Sequence, residues 1–284
     1  MVRIGAVWDS ALEAVRGRAG MILPIAAFAL FVPSVVQSAM GSYLAPTPGT
    51  APTFGGSLLV MVVSVGLMLL TLWGALAITA ITSHPEVTTA DAGRRASQRL
   101  LPLVGVSVVL ALASALLVVP LFGLVAAAGV DFTAVGTPGY QPQLSGGASV
   151  AATLYLLVIL GLALWIFARL LPLVPVVLHE RRGLGAIGRA FRLTRGMGGK
   201  LVGALILYVI VLGVSTLAVQ SVLGLVFRLV LGGDAVSTAR FLGGVAGAVV
   251  SAGLSVLSYA FVSRLYAMLA GGDLRNVFED APAR

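Results

Sequence analysis

The chain has 284 residues, of which 59% are hydrophobic and only 10% are charged, and its mean hydropathy is +1.06. About a quarter of the residues of a soluble domain are charged, so these values exclude that class and indicate a polytopic helical membrane protein. The formal charge of +8 does not indicate a nucleic-acid partner, because the chain has no polar domain that could carry a basic surface, and the absence of cysteine excludes disulfides and thiol chemistry.

Six apolar runs follow one another along the chain. A hydrocarbon core about 30 Å thick is crossed by about 20 helical residues, and each run is that long. The runs predict membrane helices at about residues 20–40, 56–83, 101–130, 148–178, 201–227 and 241–270. The fold class that we expect is all-α: one integral membrane domain over residues 1–284, with six spans in three helical hairpin units. Because the fourth run is too long for one straight span, Pro172 and Pro175 are expected to kink it.

The first run has a second interpretation, a cleaved signal peptide. Arg16 and Arg18 precede it, and residues 37–39 loosely resemble a cleavage site. The acidic residues before the run and the two prolines inside it do not suit a short signal sequence. We therefore interpret the run as a membrane span.

Basic residues are distributed unevenly over the segments between the runs. If successive segments are assigned alternately to the two sides of the membrane, all basic residues except Arg228 and Arg240 fall on one side. The positive-inside rule places that side in the cytoplasm. Arginine also far outnumbers lysine, which is typical of a GC-rich bacterial coding bias. We therefore expect a protein of the bacterial inner membrane with both termini in the cytoplasm.

A short amphipathic segment precedes each hairpin on the basic side, and we expect each to form a cytoplasmic elbow helix. In the first, Ser10 and Glu13 make a capping-box pattern that predicts a helix start. The third ends at Gly196, which predicts a helix stop and a sharp turn.

The second elbow carries an ordered set of charges. Thr88 and Asp91 predict an N-terminal cap. Asp91, Arg95 and Arg99 form a stripe at four-residue spacing, which we expect to be linked by ion pairs and to face water.

The segment 181–200 is the most basic of the chain. Arg189, Arg192, Arg195 and Lys200 are candidates for contact with anionic phospholipid headgroups, at about 1 kcal/mol per residue near the membrane surface. The alternative is ordinary positive-inside bias, with the arginines bonded to Glu180 and to helix ends. The two interpretations are compatible.

Arg169 and Arg264 end long uncharged stretches. We expect both where their helices meet the cytoplasmic headgroups, with snorkelling side chains if needed. Alternatively, they lie one or two turns inside the bilayer and bind a lipid phosphate or an acidic neighbour.

The sixth run carries small residues at four-residue spacing, namely Gly243, Gly247, Ser251 and Ser255. Such a face lets two helices approach closely. Packing within the chain is the simpler interpretation, and self-association into a homo-oligomer is the alternative.

Patterns of catalytic residues are incomplete. His179 and Glu180 begin a zinc-protease motif, but Gly183 occupies the position of the second histidine. Residues 196–200 resemble the end of a phosphate loop, but its first glycine is replaced by Thr194. We therefore expect no enzyme activity, no cofactor and no metal site.

Residues 175–196, PVVLHERRGLGAIGRAFRLTRG, carry a resemblance to a known family. A proline-bearing span that ends in an apolar–Glu pair, an arginine-rich helix and a Leu-Thr-basic-Gly stop resemble the glycerophosphoryl diester phosphodiesterase membrane domain family, which is similar to the YciC-type inner-membrane proteins. Phe191 stands where the family often has tryptophan. The resemblance implies an integral membrane module without catalytic residues, because hydrolysis in fused relatives resides in a separate domain.

These observations favour a non-enzymatic multi-pass module that contacts anionic phospholipid, with a role in envelope or lipid homeostasis. One alternative is a small-molecule or lipid transporter, although the spans lack the acidic or histidine relay of proton coupling. The other is a membrane partner for a separately encoded lipid hydrolase.

Overall fold

The computed structural model describes residues 4–44, 54–83, 86–132, 134, 140–141, 145–180, 183–232 and 235–279. Four basic residues that enter the topology argument, Arg3, Arg181, Arg182 and Arg284, lie outside the described residues, as does the side chain of Arg275.

The described residues form ten α-helices and one π-helical turn. The α-helices are α1 (Ile4–Gly17), α2 (Ala19–Ala26), α3 (Val32–Tyr43), α4 (Phe54–Ser83), α5 (Thr89–Ala127), α6 (Gly146–Leu170), α7 (Leu173–His179), α8 (Gly185–Leu193), α9 (Gly198–Leu231) and α10 (Val236–Glu279). Within these ranges, six segments are long and apolar enough to cross a membrane: Ala19–Tyr43, Gly55–Ser83, Thr89–Ala127, Gly146–His179, Gly198–Leu231 and Val236–Gly271. The predicted all-α, multi-pass membrane architecture is confirmed.

The first span is a composite of α2, a π-helical turn at Ala27–Phe31 and α3. Pro33 has no N–H to donate to the carbonyl of Ala29, so regular α-helical bonding cannot continue through this turn. The turn is packed tightly, since a Cβ added to Gly74 of α4 would lie 2.5 Å from the Cβ of Ala29. Glycine at position 74 therefore allows α4 to cross the first span at close range.

Two of the three expected elbows are separate helices, α1 and α8, whereas the second is continuous with its span in α5. The predicted cap of α5 is confirmed, because the Asp91 N–H donates to Thr88 Oγ1 at 3.2 Å. Pro102 lies inside α5 without ending it. The predicted start at Ser10 is wrong: α1 already includes Ile4, and Ser10 lies in its middle.

Two further interruptions of the helices occur at a proline and at a glycine. α6 and α7 are separated at Leu171 and Pro172, the predicted site of a kink. Gly196 ends the turn after α8 with φ of +84°, a conformation that glycine adopts without the steric penalty of a side chain.

α10 is the central helix and packs against α1, α3, α4 and most extensively α9. The ring of Tyr43 on α3 lies 5.8 Å from that of Phe241, and Ser38 lies so close to α10 that a Cβ on Gly244 would be 2.7 Å from its Oγ.

Much of the surface is apolar. Large side chains on α5 and α9 are widely exposed, among them Leu101 at 81%, Leu116 at 74% and Leu229 at 76%. A surface of this kind is unfavourable in water and is solvated by lipid chains. The main core cluster instead joins the end of α4 to α2, α7 and α8, and includes Leu76, Ile81 and Val176.

Candidate functional site

One end of the bundle, called the basic end below, contains the starts of α2, α5 and α9 and the end of α4. It also contains α7, α8 and residues 263–266 of α10. Arg18 at the start of the first span donates from Nη1 to the carbonyl of Ile81 near the end of α4. Ser83 and Ser263 share a hydrogen bond of 2.9 Å between their hydroxyls, which joins α4 to α10. Segments distant in the sequence are thus held together here.

A polar cluster centres on Ser83 and His179. The Ser83 hydroxyl lies 3.0 Å from Nε2 of His179 and donates to the carbonyl of Thr79 at 2.6 Å. The imidazole is stacked on the ring of Tyr266, with centroids 5.7 Å apart and planes 13° from parallel. The position and orientation of His179 are therefore fixed by two neighbouring helices.

Arg189, one of the expected headgroup contacts, is directed instead at an acidic neighbour. Its Nε donates to Oε1 and Oε2 of Glu180 at 3.0 and 3.2 Å, and the Tyr266 hydroxyl donates to the same Oε1 at 3.3 Å. The side chains of Arg189 and Glu180 are only 21% and 18% exposed. The pair links α8 to the end of α7, which corresponds to the alternative interpretation of Arg189.

The other three residues of that group have a different environment. Arg192, Arg195 and Lys200 are exposed on the last turn of α8, the connecting turn and the first turn of α9. Within the described part of the chain, no acidic side chain forms an ion pair with any of them. Their charges remain available to a ligand or a surface.

Arg169 is half-buried where α6 meets the start of α9. Its Cζ lies 4.9 Å from the ring centroid of Trp165, a cation–π distance. The guanidinium also lies against the backbone of Gly198, where an added Cβ would be 3.4 Å from Nε. Arg264 is half-buried as well, and among the described residues neither its Nε nor that of Arg169 has a hydrogen-bond partner.

The small-residue face of α10 is directed in part at α9. A Cβ on Gly243 would lie 2.7 Å from the carbonyl oxygen of Gln220, and one on Gly247 would lie 3.3 Å from Thr216 Cγ2. Ser251 and Ser255 are half-buried farther along α10. The two glycines therefore allow close packing within the chain.

A polar cavity lies between the start of α5 and the end of α7. Its volume is about 340 Å³, and it is lined by Arg94, Arg95, Gln98, Arg99, Leu178 and His179. The sequence does not predict this cavity, because it depends on the contact of two helices that are distant in the chain. The only sequence signal is the density of arginine in residues 94–99.

The expected ion-pair stripe along α5 is wrong. Asp91 pairs with Arg94, at 3.4 Å, rather than with Arg95. Arg95 and Arg99 line the polar cavity instead of continuing a stripe of ion pairs. The physical reason is that residues three and four positions apart are both neighbours on a helix, so Arg94 can take the carboxylate in place of Arg95.

An apolar groove of about 460 Å³ lies where α1 meets α9 and α10. Trp8, Leu205, Tyr208, Leu257 and Phe261 are among its lining residues. Trp8 closes one side through a tilted contact with Phe261, with ring centroids 6.1 Å apart. Most of its lining residues are apolar.

The described residues bring no three His, Asp or Glu side chains together as metal ligands would be. No protein-family model, no curated protein and no solved structure matches the chain.

Proposed function

We propose that the chain is a non-enzymatic module of the bacterial inner membrane that contacts anionic phospholipid headgroups from the cytoplasmic side. The observation that carries the proposal is the exposure of Arg192, Arg195 and Lys200 without acidic partners in the described part of the chain. Their number is one fewer than the sequence suggests, because the charge of Arg189 is compensated by Glu180.

The position of these three residues supports headgroup contact. Lys200 lies in the first turn of α9, and the helix continues into an apolar span of the length needed to cross a membrane. Charges at the start of such a span lie near the headgroup layer. Each basic residue near an anionic surface contributes about 1 kcal/mol, so the three together correspond to about a hundredfold in affinity.

The apolar groove supports lipid as the ligand class. It lies on the same surface of α9 that is widely exposed, with Leu207 at 63% and Val211 at 43% among its lining residues. A phospholipid has both an acyl chain that fits an apolar groove and a charged head that suits the basic end.

The test is retention of lipid by the purified chain. We expect the triple variant R192Q/R195Q/K200Q to lose most of the phosphatidylglycerol that co-purifies with the wild type in mild detergent, measured by native mass spectrometry. The matched control is R228Q/R240Q, which removes exposed charges from the opposite end of α9 and α10. Equal retention by the triple variant and the wild type would contradict the proposal.

The apolar groove also favours a second candidate function, a lipid transporter. Proteoliposomes with a fluorescent phospholipid in one leaflet would show accelerated exchange in that case. A Leu205→Trp variant, which fills the groove, should then slow exchange, whereas a module that only binds lipid should give no exchange with either protein.

The resemblance of residues 175–196 to the glycerophosphoryl diester phosphodiesterase membrane domain suggests an enzyme as a protein partner for the chain. A module of that kind would serve lipid homeostasis beside a separately encoded lipid hydrolase. Crosslinking in cells followed by mass spectrometry would identify such an enzyme, and a homo-oligomer would appear in the same experiment as a crosslinked dimer.

A further inference from the structure

We propose that the polar cavity between α5 and α7 is a binding site for a phosphate group. The site is separate from the exposed residues of the α8–α9 turn, and the inference does not depend on the proposed function. The phosphate can belong to a lipid headgroup or to a soluble molecule, and the experiment below distinguishes the two sources.

The composition of the cavity defines the class of ligand. Arg94, Arg95 and Arg99 contribute three guanidinium groups, Gln98 contributes an amide, and His179 contributes an imidazole on the opposite side. Guanidinium groups present planar pairs of N–H donors that match two oxygens of a phosphate. None of the described residues that line the cavity is acidic. The arrangement therefore favours an anion with several acceptor oxygens.

The local charge balance is strongly positive. Asp91 is the one described acidic residue that pairs with an arginine of this cavity, and it reaches only Arg94, at 3.4 Å. In the described part of the chain, Arg95 and Arg99 form no ion pair. Like charges held near one another repel, and a bound anion relieves that repulsion. A phosphate would thus supply the negative charge that the described residues do not place beside Arg95 and Arg99.

The two walls of the cavity are held in place before any ligand binds. On the α5 side, the cap at Thr88, the buried side chains of Ala92 and Ala96, and the 3.1 Å hydrogen bond from Trp73 Nε1 to Ser97 Oγ fix the helix. On the α7 side, His179 is held by Ser83 and by the ring of Tyr266. The backbone positions from which the arginines extend are therefore set in advance, and binding has to order only their side chains.

The polar cavity differs from the apolar groove in chemistry and in place. The groove is lined mainly by apolar residues of α1, α9 and α10, whereas the polar cavity is lined mainly by polar side chains at the start of α5 and the end of α7. A site that contains three arginines in that location is accessible to water as well as to headgroups.

The experiment uses the full chain in neutral detergent with two probes, inorganic phosphate and dihexanoyl phosphatidic acid, titrated by calorimetry. We expect R95Q/R99Q to weaken binding by about tenfold or more, because charge-assisted hydrogen bonds are among the stronger polar contacts. The single variant R95Q should give a smaller loss. Arg95 is exposed, so its replacement leaves the core intact and keeps the test valid if the double variant does not fold.

Binding of phosphate alone would identify a soluble ligand, binding of phosphatidic acid alone would identify a lipid headgroup, and binding of both would show that the phosphate is the recognised group. Each of these three outcomes supports the site if R95Q/R99Q or R95Q weakens the binding that the wild type shows. The matched control, R228Q/R240Q, removes two exposed charges far from the cavity and should leave the binding of both probes unchanged. The proposal is overturned if neither probe binds the wild type, or if R95Q, and R95Q/R99Q where it folds, bind the probes as tightly as the wild type does.

Discussion

The Nε of Arg189 donates to both carboxylate oxygens of Glu180, at distances of 3.0 and 3.2 Å. Because both side chains are mostly buried, Glu180→Gln should leave a poorly solvated cation and destabilise the fold by about 1–2 kcal/mol. Thermal unfolding in detergent should show a lower Tm.

The exposed pair of Asp91 and Arg94 is the matched control for that variant. Its side chains are 42% and 74% exposed, so Asp91→Asn should cost at most about 1 kcal/mol. A Tm for Glu180→Gln equal to that of the wild type would show that the buried pair contributes nothing to stability.

Gly243 marks the closest approach of α9 and α10. Gly243→Ala places a Cβ 2.7 Å from the carbonyl oxygen of Gln220, and a backbone atom cannot move aside as a flexible side chain does. We expect a loss of about 1–3 kcal/mol from overpacking, measured as a lower Tm. Gly253→Ala on the same helix meets nothing within 4 Å, and should gain up to about 1 kcal/mol from helix propensity. Equal effects of the two variants would argue against the close approach.

Gly196 has φ of +84° between α8 and α9. Gly196→Ala introduces a side chain where the left-handed conformation is strained, at a cost of about 1 kcal/mol. The variant should also retain less anionic lipid, because the turn positions Arg195 and Lys200 relative to each other. Gly199→Ala lies in the first turn of α9 without contacts within 4 Å. It should retain lipid as the wild type does, with a Tm equal to that of the wild type or slightly higher.

The absence of cysteine makes the topology directly testable by labelling. A membrane-impermeant maleimide should label Ser145→Cys in spheroplasts, because the exposed residue before α6 is expected on the periplasmic side. Leu184→Cys, at an exposed position before α8, should react only after the membrane is opened. Labelling of Leu184→Cys in intact spheroplasts would reverse the orientation that we propose.

The sequence predicts well what depends on neighbours along the chain. Continuous apolar runs mark the spans, Thr88 caps the helix that it precedes, Pro172 interrupts the fourth run, and Gly196 ends the turn after α8. Each of these is a local property of backbone bonding or of steric freedom. Ser10 is the exception: its pattern fits a cap, but the preceding residues continue the same amphipathic helix.

What depends on packing between helices could not be predicted. Helical spacing allows Asp91 to pair with Arg94 or with Arg95, and it does not decide between them; in the structure the partner is Arg94. The polar cavity could not be predicted either, because it lies between α5 and the end of α7, which are distant in the chain. The sequence pattern does not predict which basic residue forms an ion pair with Glu180. In the structure that residue is Arg189.

The π-helical turn at Ala27–Phe31 inserts one extra residue into the hydrogen-bonded path of the first span. Each helical residue advances the side chains by about 100°, so deletion of one residue there would rotate everything that follows by that angle. Ser38 would then lose its close packing against Gly244, and the ring of Tyr43 would lose its contact with the ring of Phe241. The insertion thus sets the rotation of the second half of the span relative to the first, and a deletion here would disturb packing that a substitution of equal length leaves in register.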